Sequence, residues 1–185
     1  MARGLVGRYT RVAITLHWLI ALLLIGQFAF GWYLHEIPRG VAERGYFVNI
    51  HKSTGMLLGL LILFRLLWRV THRVPPLPDS VPRWERQAAA VSHFLLYVLM
   101  IVMPLSGYIA SNFSKWGVKF FNVIELAPWG FEDKQIYAFF NDIHYVTSWM
   151  LLALVLLHVL AALKHGLVDR DMVFSRMLPR HSSER

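Results

Sequence analysis

The chain alternates between long apolar stretches and shorter polar connections. A helix needs about 20 apolar residues to cross the hydrocarbon core of a bilayer. The stretches at about 12–34, 47–70, 88–110 and 140–164 reach that length, so each can form one membrane-spanning helix. The pattern therefore predicts an all-α fold, an integral membrane four-helix bundle that forms a single membrane domain over residues 1–185.

Basic residues are concentrated on one side of these four stretches. Among the 19 Lys and Arg residues, those on the sparser side are Arg39, Arg44, Lys52, Lys115, Lys119 and Lys134. The others lie before the first stretch, around the connection between the second and third stretches, or in the C-terminal segment from Lys164 onwards. Because cytoplasmic segments carry an excess of Lys and Arg, both termini are predicted to be cytoplasmic.

Composition agrees with a membrane location and excludes several kinds of site. Hydrophobic residues make up 56% of the chain and charged residues 16%, whereas soluble domains carry about 25% charged residues. Topology and contact with anionic membrane lipid explain the net charge of +8, so nucleic acid is not expected as a partner. The absence of cysteine excludes disulfides, thiolate metal sites, cysteine-held iron–sulfur clusters and thioether-attached haem.

Several histidines lie inside the apolar stretches, where an ionisable side chain is costly and indicates a function. His17 and His158 each lie six residues inside the cytoplasmic boundary of their stretch, which corresponds to a depth of about 9 Å at the helical rise of about 1.5 Å per residue. His51 and His144 both lie near the opposite, outer ends of their stretches. The four histidines therefore form two sets at matching depths.

The fourth stretch carries two of these histidines at an informative spacing. His144 and His158 are 14 residues apart, so on a helix they lie about 40° apart around the axis and about 21 Å apart along it. One helix thus presents two inward ligands at two depths, and His17 and His51 can each complete one pair. Haem iron held by two imidazoles suits electron transfer, and the core of a helix bundle is a usual place for such a cofactor.

Alternative interpretations stay open at this point. A single membrane histidine is more often an interhelical hydrogen-bonding group than a metal ligand, and Gly55-x-x-x-Gly59 is also a packing motif for any pair of membrane helices. Four histidines at two matched depths nevertheless favour haem. His93 lies at a similar depth to His17 and His158, and spacing alone does not decide which two of these three bind iron. The histidines predicted to be interfacial or solvated are His35, His72, His165 and His181.

Several fragments, taken together in order and spacing, resemble the bacterial di-haem cytochrome b561 family over nearly the whole chain. In chain order they are Arg8-Tyr9, Ile14-Thr15-Leu16-His17-Trp18, Ile50-His51-Lys52-Ser53-x-Gly55, Arg65-Leu66-x-x-Arg69, His93-x-x-x-Tyr97, Pro104-x-x-Gly107, and His144 with His158. The resemblance implies two haem b groups in a multi-pass protein of the bacterial inner (cytoplasmic) membrane. It implies that His17 and His158 bind the cytoplasmic-side haem, that His51 and His144 bind the outer one, and that His93 is not a ligand.

The resemblance also suggests electron donors and acceptors for the protein. One branch of the family oxidises superoxide at the outer face and reduces ubiquinone, which predicts quinone as electron acceptor or donor. Superoxide is an anion that benefits from a basic approach path, and Lys52, beside His51, is the best single candidate for a catalytic residue. The second hypothesis is a membrane-anchor subunit that passes electrons between quinone and a docked redox partner protein, a dehydrogenase or hydrogenase. A metal or proton pathway is disfavoured because the apolar stretches contain almost no carboxylates.

Overall fold

Residues 7–179 are described by a computed structural model of the chain. Three of the basic residues that entered the topology prediction, Arg3, Arg180 and Arg185, lie outside the described residues, as does His181. The sidedness of the termini therefore stays a prediction, and so does the assignment of the whole chain to a single domain.

Four long helices form the described part of the protein: α1 (Arg11–Glu36), α2 (Ala42–Thr71), α3 (Arg83–Asn112) and α4 (Lys134–Leu163). All four are long and apolar enough to cross a membrane. The predicted all-α membrane four-helix bundle is confirmed. Following the predicted topology, we call the end with the α2–α3 connection and the described termini the inner end, and the other the outer end.

Helices α2, α3 and α4 begin five or six residues before their apolar stretches, because more polar residues form their first turns, whereas α1 begins one residue before its stretch. Thr10 caps α1, its hydroxyl oxygen accepting a hydrogen bond from the backbone N–H of Ala13 at 3.2 Å. Asp133 caps α4, its carboxylate accepting from the backbone N–H groups of Gln135 and Ile136 at 2.8 and 3.0 Å. Such caps satisfy backbone donors that have no partner inside the helix.

One buried apolar cluster holds the four helices together. Its most buried members are Ile20, Leu24, Leu58, Ile62, Leu96 and Leu151. Within the described residues the closely packed helix pairs are α1–α2, α2–α3 and α3–α4, so the backbones of α1 and α4 stay further apart. We call the space between these two helices, where the rings of His17 and His158 lie, the α1–α4 slot.

The glycines of α2 allow close approach by its neighbours. A Cβ at Gly55 would lie 3.2 Å from the side-chain amide nitrogen of Gln27 on α1. A Cβ at Gly59 would lie 3.3 Å from the ring of Pro104 on α3. These contacts match the packing interpretation of the Gly55-x-x-x-Gly59 motif.

The outer connection between α3 and α4 forms a short β-hairpin that the apolar pattern did not predict. Strands β1 (Val118–Phe120) and β2 (Ile124–Leu126) pair antiparallel, with Lys119 opposite Glu125. The hairpin is fixed to α2: the backbone N–H of Phe121 donates to the Ser53 hydroxyl at 2.7 Å. The outer end of α2 is therefore covered by protein.

After α4 the chain turns back beneath the bundle. A π-helical turn (Lys164–Asp169) continues α4, and a left-handed Arg170 then reverses the chain. We call residues 170–179 the C-terminal strap, which contains a short 3-10 helix (Phe174–Met177). The indole N–H of Trp18 donates to the Met177 carbonyl at 2.7 Å. The strap therefore joins the inner ends of α4 and α1.

Candidate haem-binding site

The inner end of the bundle brings His17 of α1 and His158 of α4 face to face. Their ring centroids are 6.2 Å apart, and the ring planes are 76° from parallel. Neither helix packs its backbone closely on the other in the described part of the chain. The two imidazoles therefore meet across a gap between helices, as two ligands of one bound group would.

The outer end repeats this arrangement with His51 of α2 and His144 of α4. Their ring centroids are 6.4 Å apart, with the planes 83° from parallel. The structure therefore brings together the histidines that sequence analysis paired by depth, one pair at each end of α4.

The spacing of both pairs fits a metal ion between the rings. An imidazole nitrogen binds a first-row metal at about 2.0–2.1 Å and lies roughly 1.1 Å from the centroid of its own ring, so two rings on opposite sides of one ion have centroids about 6.3 Å apart. The observed 6.2 and 6.4 Å agree with that value. The histidines present are compatible with b-type haem, which is bound through its iron by side chains alone.

The ring of His144 is held in one orientation by α3. Its Nδ1–H donates to the carbonyl of Met103 at 2.8 Å. Because a carbonyl only accepts, this bond leaves Nε2 with a free lone pair for a metal. The ring also packs against Gly107, where a Cβ would lie 2.9 Å from His144 Nδ1. Gly107 is therefore required for this position of the ring.

His51 has a buried ring nitrogen that the described polypeptide does not satisfy. Its Nδ1 is buried and has no hydrogen-bond partner among residues 7–179, whereas buried polar atoms in proteins are nearly always paired. Its backbone carbonyl accepts a hydrogen bond from the amide of Gln27 at 2.9 Å, which ties α1 to α2 at this depth. A group bound beside this imidazole would complete the site.

The inner end holds a third imidazole. The ring centroid of His93 on α3 lies 5.5 Å from that of His158. This separation is shorter than the value of about 6.3 Å expected for two ligands of one metal. His93 is thus a neighbour of the inner pair, and its geometry fits a shared metal less well than that of His17.

Lys52, the predicted catalytic residue, lies half-buried under the outer hairpin. Its Nζ donates to the carbonyl of Gly117 at 2.8 Å. No described carboxylate lies within 4.0 Å of this ammonium group. Lys52 therefore places a positive charge near the outer histidine pair while it also fixes the hairpin.

Basic and aromatic side chains line a small cavity at the inner end. Arg65 donates through Nη1 to the carbonyl of Ala13 at 2.8 Å. The guanidinium carbon of Arg69 lies 5.7 Å from the centroid of the Tyr97 ring. Ala13, Arg65, Arg69 and Tyr97 all line this cavity. None of its described lining residues is acidic. Arg65 therefore places a positive charge beside the start of α1.

A second cavity, open and apolar, lies between the ends of α3 and α4 on the outer side. Its lining residues are Ile109, Phe113, Trp129, Gln135, Ile136, Phe139 and Phe140. Phe140 lies one helical turn before His144 on α4. The cavity is therefore close along α4 to the outer histidine pair.

An ion-pair network joins the inner end of α4 to the start of α3. Lys164 Nζ lies 2.9 Å from Glu85 Oε1 and 2.6 Å from Asp169 Oδ2. His165 Nδ1 lies 2.6 Å from Asp171 Oδ2. His165, predicted to be interfacial or solvated, lies just beyond the end of α4 with 15% of its side chain exposed. Glu85, His165 and Asp169 are close enough together to hold a metal ion, but the Lys164 ammonium already bridges the two carboxylates.

Comparison with known proteins identifies relatives that match almost the whole chain. "Cytochrome b561 homolog 2" of Escherichia coli (strain K12) is 32% identical over 190 residues, covering 96% of this chain and 94% of that protein. "Probable superoxide oxidase CybB" of Yersinia pestis is 29% identical, covering 94% and 97%. "Probable Ni/Fe-hydrogenase 1 B-type cytochrome subunit" of E. coli (strain K12) is 25% identical, covering 91% and 87%.

The family profile described as "Prokaryotic cytochrome b561" matches residues 8–180. This match confirms the resemblance found in the sequence, and the four apolar helices agree with a multi-pass membrane protein. The chain belongs to the prokaryotic cytochrome b561 family of membrane electron-transfer proteins, whose cofactor is b-type haem.

Proposed function

We propose that the protein is a di-haem b-type electron-transfer protein of the bacterial inner membrane that exchanges electrons with the quinone pool. This proposal rests on the two histidine pairs at opposite ends of the bundle. Their ring centroids are 6.2 and 6.4 Å apart. His17 and His158 hold the inner haem, and His51 and His144 hold the outer one.

The residues of the chain determine what kind of redox chemistry the site supports. Haem, when bound, supplies a one-electron carrier at each end of the bundle. The two imidazoles of each pair would both bind the iron and leave no free site for oxygen, which favours electron transfer over oxygen activation. His144 is fixed by Met103 and Gly107, so the outer site is organised before the cofactor binds.

His93 is assigned here to a position beside the inner haem rather than to its iron. Its ring lies 5.5 Å from His158, while His17 lies at the separation of 6.2 Å that suits two ligands of one ion. The same assignment follows from the family resemblance. His93 then fills space next to the inner site and contributes a polar ring to it.

Superoxide is the electron donor that we propose. The overall reaction takes one electron from each of two superoxide anions, releases two molecules of oxygen, and with two protons converts one quinone to quinol. Lys52 supports this donor because it directly follows His51 in α2 and its ammonium group has no described carboxylate within 4.0 Å. A local positive charge raises the encounter rate of a small anion. The relative described as a probable superoxide oxidase supports the same reaction.

Quinone is the acceptor in this proposal. A quinone is an apolar ring with an apolar tail that reaches the protein through the bilayer. The open apolar cavity between α3 and α4, which ends at Phe140 one turn from His144, is a suitable entry for such a ligand. Binding sites for small molecules are usually concave and mostly apolar with few polar groups.

A haem assay on detergent-purified protein tests the proposal first. A reduced-minus-oxidised spectrum with pyridine haemochrome quantitation should give about two b-type haems per chain. Superoxide generated in the sample should then reduce a ubiquinone analogue at a rate proportional to the haem-loaded protein. Well-folded protein without haem would rule out the proposal, and haem without superoxide-driven reduction would rule out only the donor.

The second candidate is a membrane-anchor subunit of a larger redox complex. The relative described as a hydrogenase B-type cytochrome subunit favours it. The outer connection also exposes large apolar side chains, including Trp116, Val123 and Phe131, which a docked partner or lipid headgroups can cover. Purification under mild conditions separates the two functions: an anchor subunit co-purifies with a dehydrogenase or hydrogenase and reduces quinone only when that partner is present.

A further inference from the structure

The C-terminal strap contains a buried positive charge without a counter-charge in the described protein. Only 3% of Arg176 is exposed. Its Nη2 donates to the carbonyl of Pro76 at 2.7 Å, and its Nε is buried with no hydrogen-bond partner. Across residues 7–179, no carboxylate oxygen lies within 4.0 Å of this guanidinium. A buried, incompletely bonded charge is strongly unfavourable, so an anionic group is expected beside it.

The acidic residues within the strap and around its start already have other partners. Asp171 contacts His165, and Asp169 contacts Lys164. Glu85 also contacts Lys164. The expected anion is therefore better supplied by a bound group than by these side chains.

The position of Arg176 indicates which bound group this is. The strap crosses from α4 to α1, where Trp18 donates to the carbonyl of Met177. The Trp18 ring lies 5.4 Å from the ring of His17. Arg176 itself reaches the α2–α3 connection at Pro76. Arg176 therefore belongs to a strap whose next residue, Met177, is bonded to Trp18 beside His17, at the inner end of the bundle.

We propose that Arg176 binds a propionate of the haem held by His17 and His158, and that the strap thereby closes the inner end of the slot. This inference rests on the proposed function, because it requires haem at that pair. A guanidinium presents several donors in a fixed plane, which suits charge-assisted, bidentate binding of a carboxylate. The unpaired Nε and the buried charge would then both be satisfied.

This contact changes the midpoint potential of the inner haem. Reduction adds one negative charge to the haem, and a nearby positive charge stabilises the reduced form. Arg176 therefore raises the midpoint potential of the inner haem relative to the outer one.

Redox titration of the Arg176→Gln variant in detergent tests the inference. The inner haem should become about tenfold harder to reduce relative to the outer haem, equivalent to about 59 mV for a one-electron couple. The outer haem should keep its potential. Titration of the His144→Ala background identifies the inner signal, because only that haem should remain. The matched control is Arg170→Gln, which removes an exposed charge from the same strap and should change neither potential.

A second measurement covers the case in which Arg176→Gln loses the inner haem. Apoprotein is then reconstituted with haem b or with its dimethyl ester, whose propionates carry no charge. With haem b the wild type should bind more tightly than Arg176→Gln, and with the ester the two should bind alike. An effect of equal size with the ester overturns the inference.

The outcomes separate this inference from the proposed function. Two haems whose potentials are both unchanged in Arg176→Gln overturn the role of Arg176 and leave the di-haem assignment standing. Wild-type protein that folds without haem overturns the proposed function itself. A lowered potential for the inner haem alone, absent in Arg170→Gln, supports both.

Discussion

The two ends of the bundle hold similar histidine pairs in different surroundings. At the outer end, His144 is oriented by a backbone carbonyl and a glycine, and a hairpin covers the adjacent part of α2. At the inner end, a third imidazole lies beside the pair. Arg65 of α2, which donates to the start of α1, and Arg176 of the strap also lie at this end. Packing and a hydrogen bond hold the histidine ring at the outer site, whereas two arginines lie at the inner end of the bundle.

This difference bears on how electrons distribute between the two haems. Positive charge favours the reduced form of a redox group in a medium of low dielectric constant. We therefore expect the inner haem to have the higher midpoint potential of the two. An electron shared between the two haems then resides mainly on the inner one, while superoxide and quinone exchange electrons with the outer one.

The largest effect on haem content is expected from the loss of one histidine of a pair. His51→Ala or His144→Ala should remove the outer haem and leave the inner one largely bound, because each iron needs both of its imidazoles. His17→Ala should do the reverse. Pyridine haemochrome quantitation measures the change, and about one haem per chain is expected in each variant.

His93→Ala is the matched control for these substitutions, since it removes a nearby imidazole that we assign as a non-ligand. Both haems should remain. Loss of the inner haem in His93→Ala with retention in His17→Ala would show that the inner pair is His93 and His158.

Gly107→Ala should damage the outer site alone. The added Cβ would lie 2.9 Å from His144 Nδ1, so the ring must move and its bond to Met103 must lengthen. Most of the outer haem should be lost on purification, with the inner haem retained. Gly26→Ala is the control, because a Cβ there meets nothing within 4 Å. Full outer occupancy in Gly107→Ala would contradict the role given to this contact.

Lys52→Gln should slow the reaction with superoxide by about tenfold, in line with typical effects of electrostatic steering. Reduction of the protein by an uncharged donor should change little. Stopped-flow reduction at several ionic strengths measures both rates, and the difference between variant and wild type should shrink as salt rises. Lys115→Gln, at an exposed lysine of the outer α3–α4 connection, should have a smaller effect. Equal slowing with both donors would assign Lys52 to hairpin structure alone.

Asp133→Ala should have the smallest effect. Removal of the α4 cap should cost about 1 kcal/mol of stability, the usual value for an N-cap. Thermal unfolding in detergent measures the loss. Asp142→Ala, an exposed position within α4, should be nearly neutral. Haem content should be unchanged in both variants.

Much of the fold followed from the sequence because membrane-spanning helices are encoded locally. Each needs only a long apolar run, and all its backbone hydrogen bonds are internal. The pairing of histidines by depth could also be predicted, since helical rise and periodicity depend on residue number alone. Helix ends were predicted less well: Asp133 extends α4 outward through a cap that apolar periodicity does not detect. The hairpin at Val118–Leu126 has strands too short to stand out.

The sequence by itself determined the membrane spans, the matched depths of the histidines and the family. Tertiary structure alone decided which groups surround them. The bond from His144 to Met103 joins α4 to α3 across 41 positions, and the bond from Arg176 to Pro76 spans 100. Local pattern reports which face of a helix is apolar. It does not report which side chains of other elements meet that face, because such contacts depend on how the helices pack and where the chain turns back.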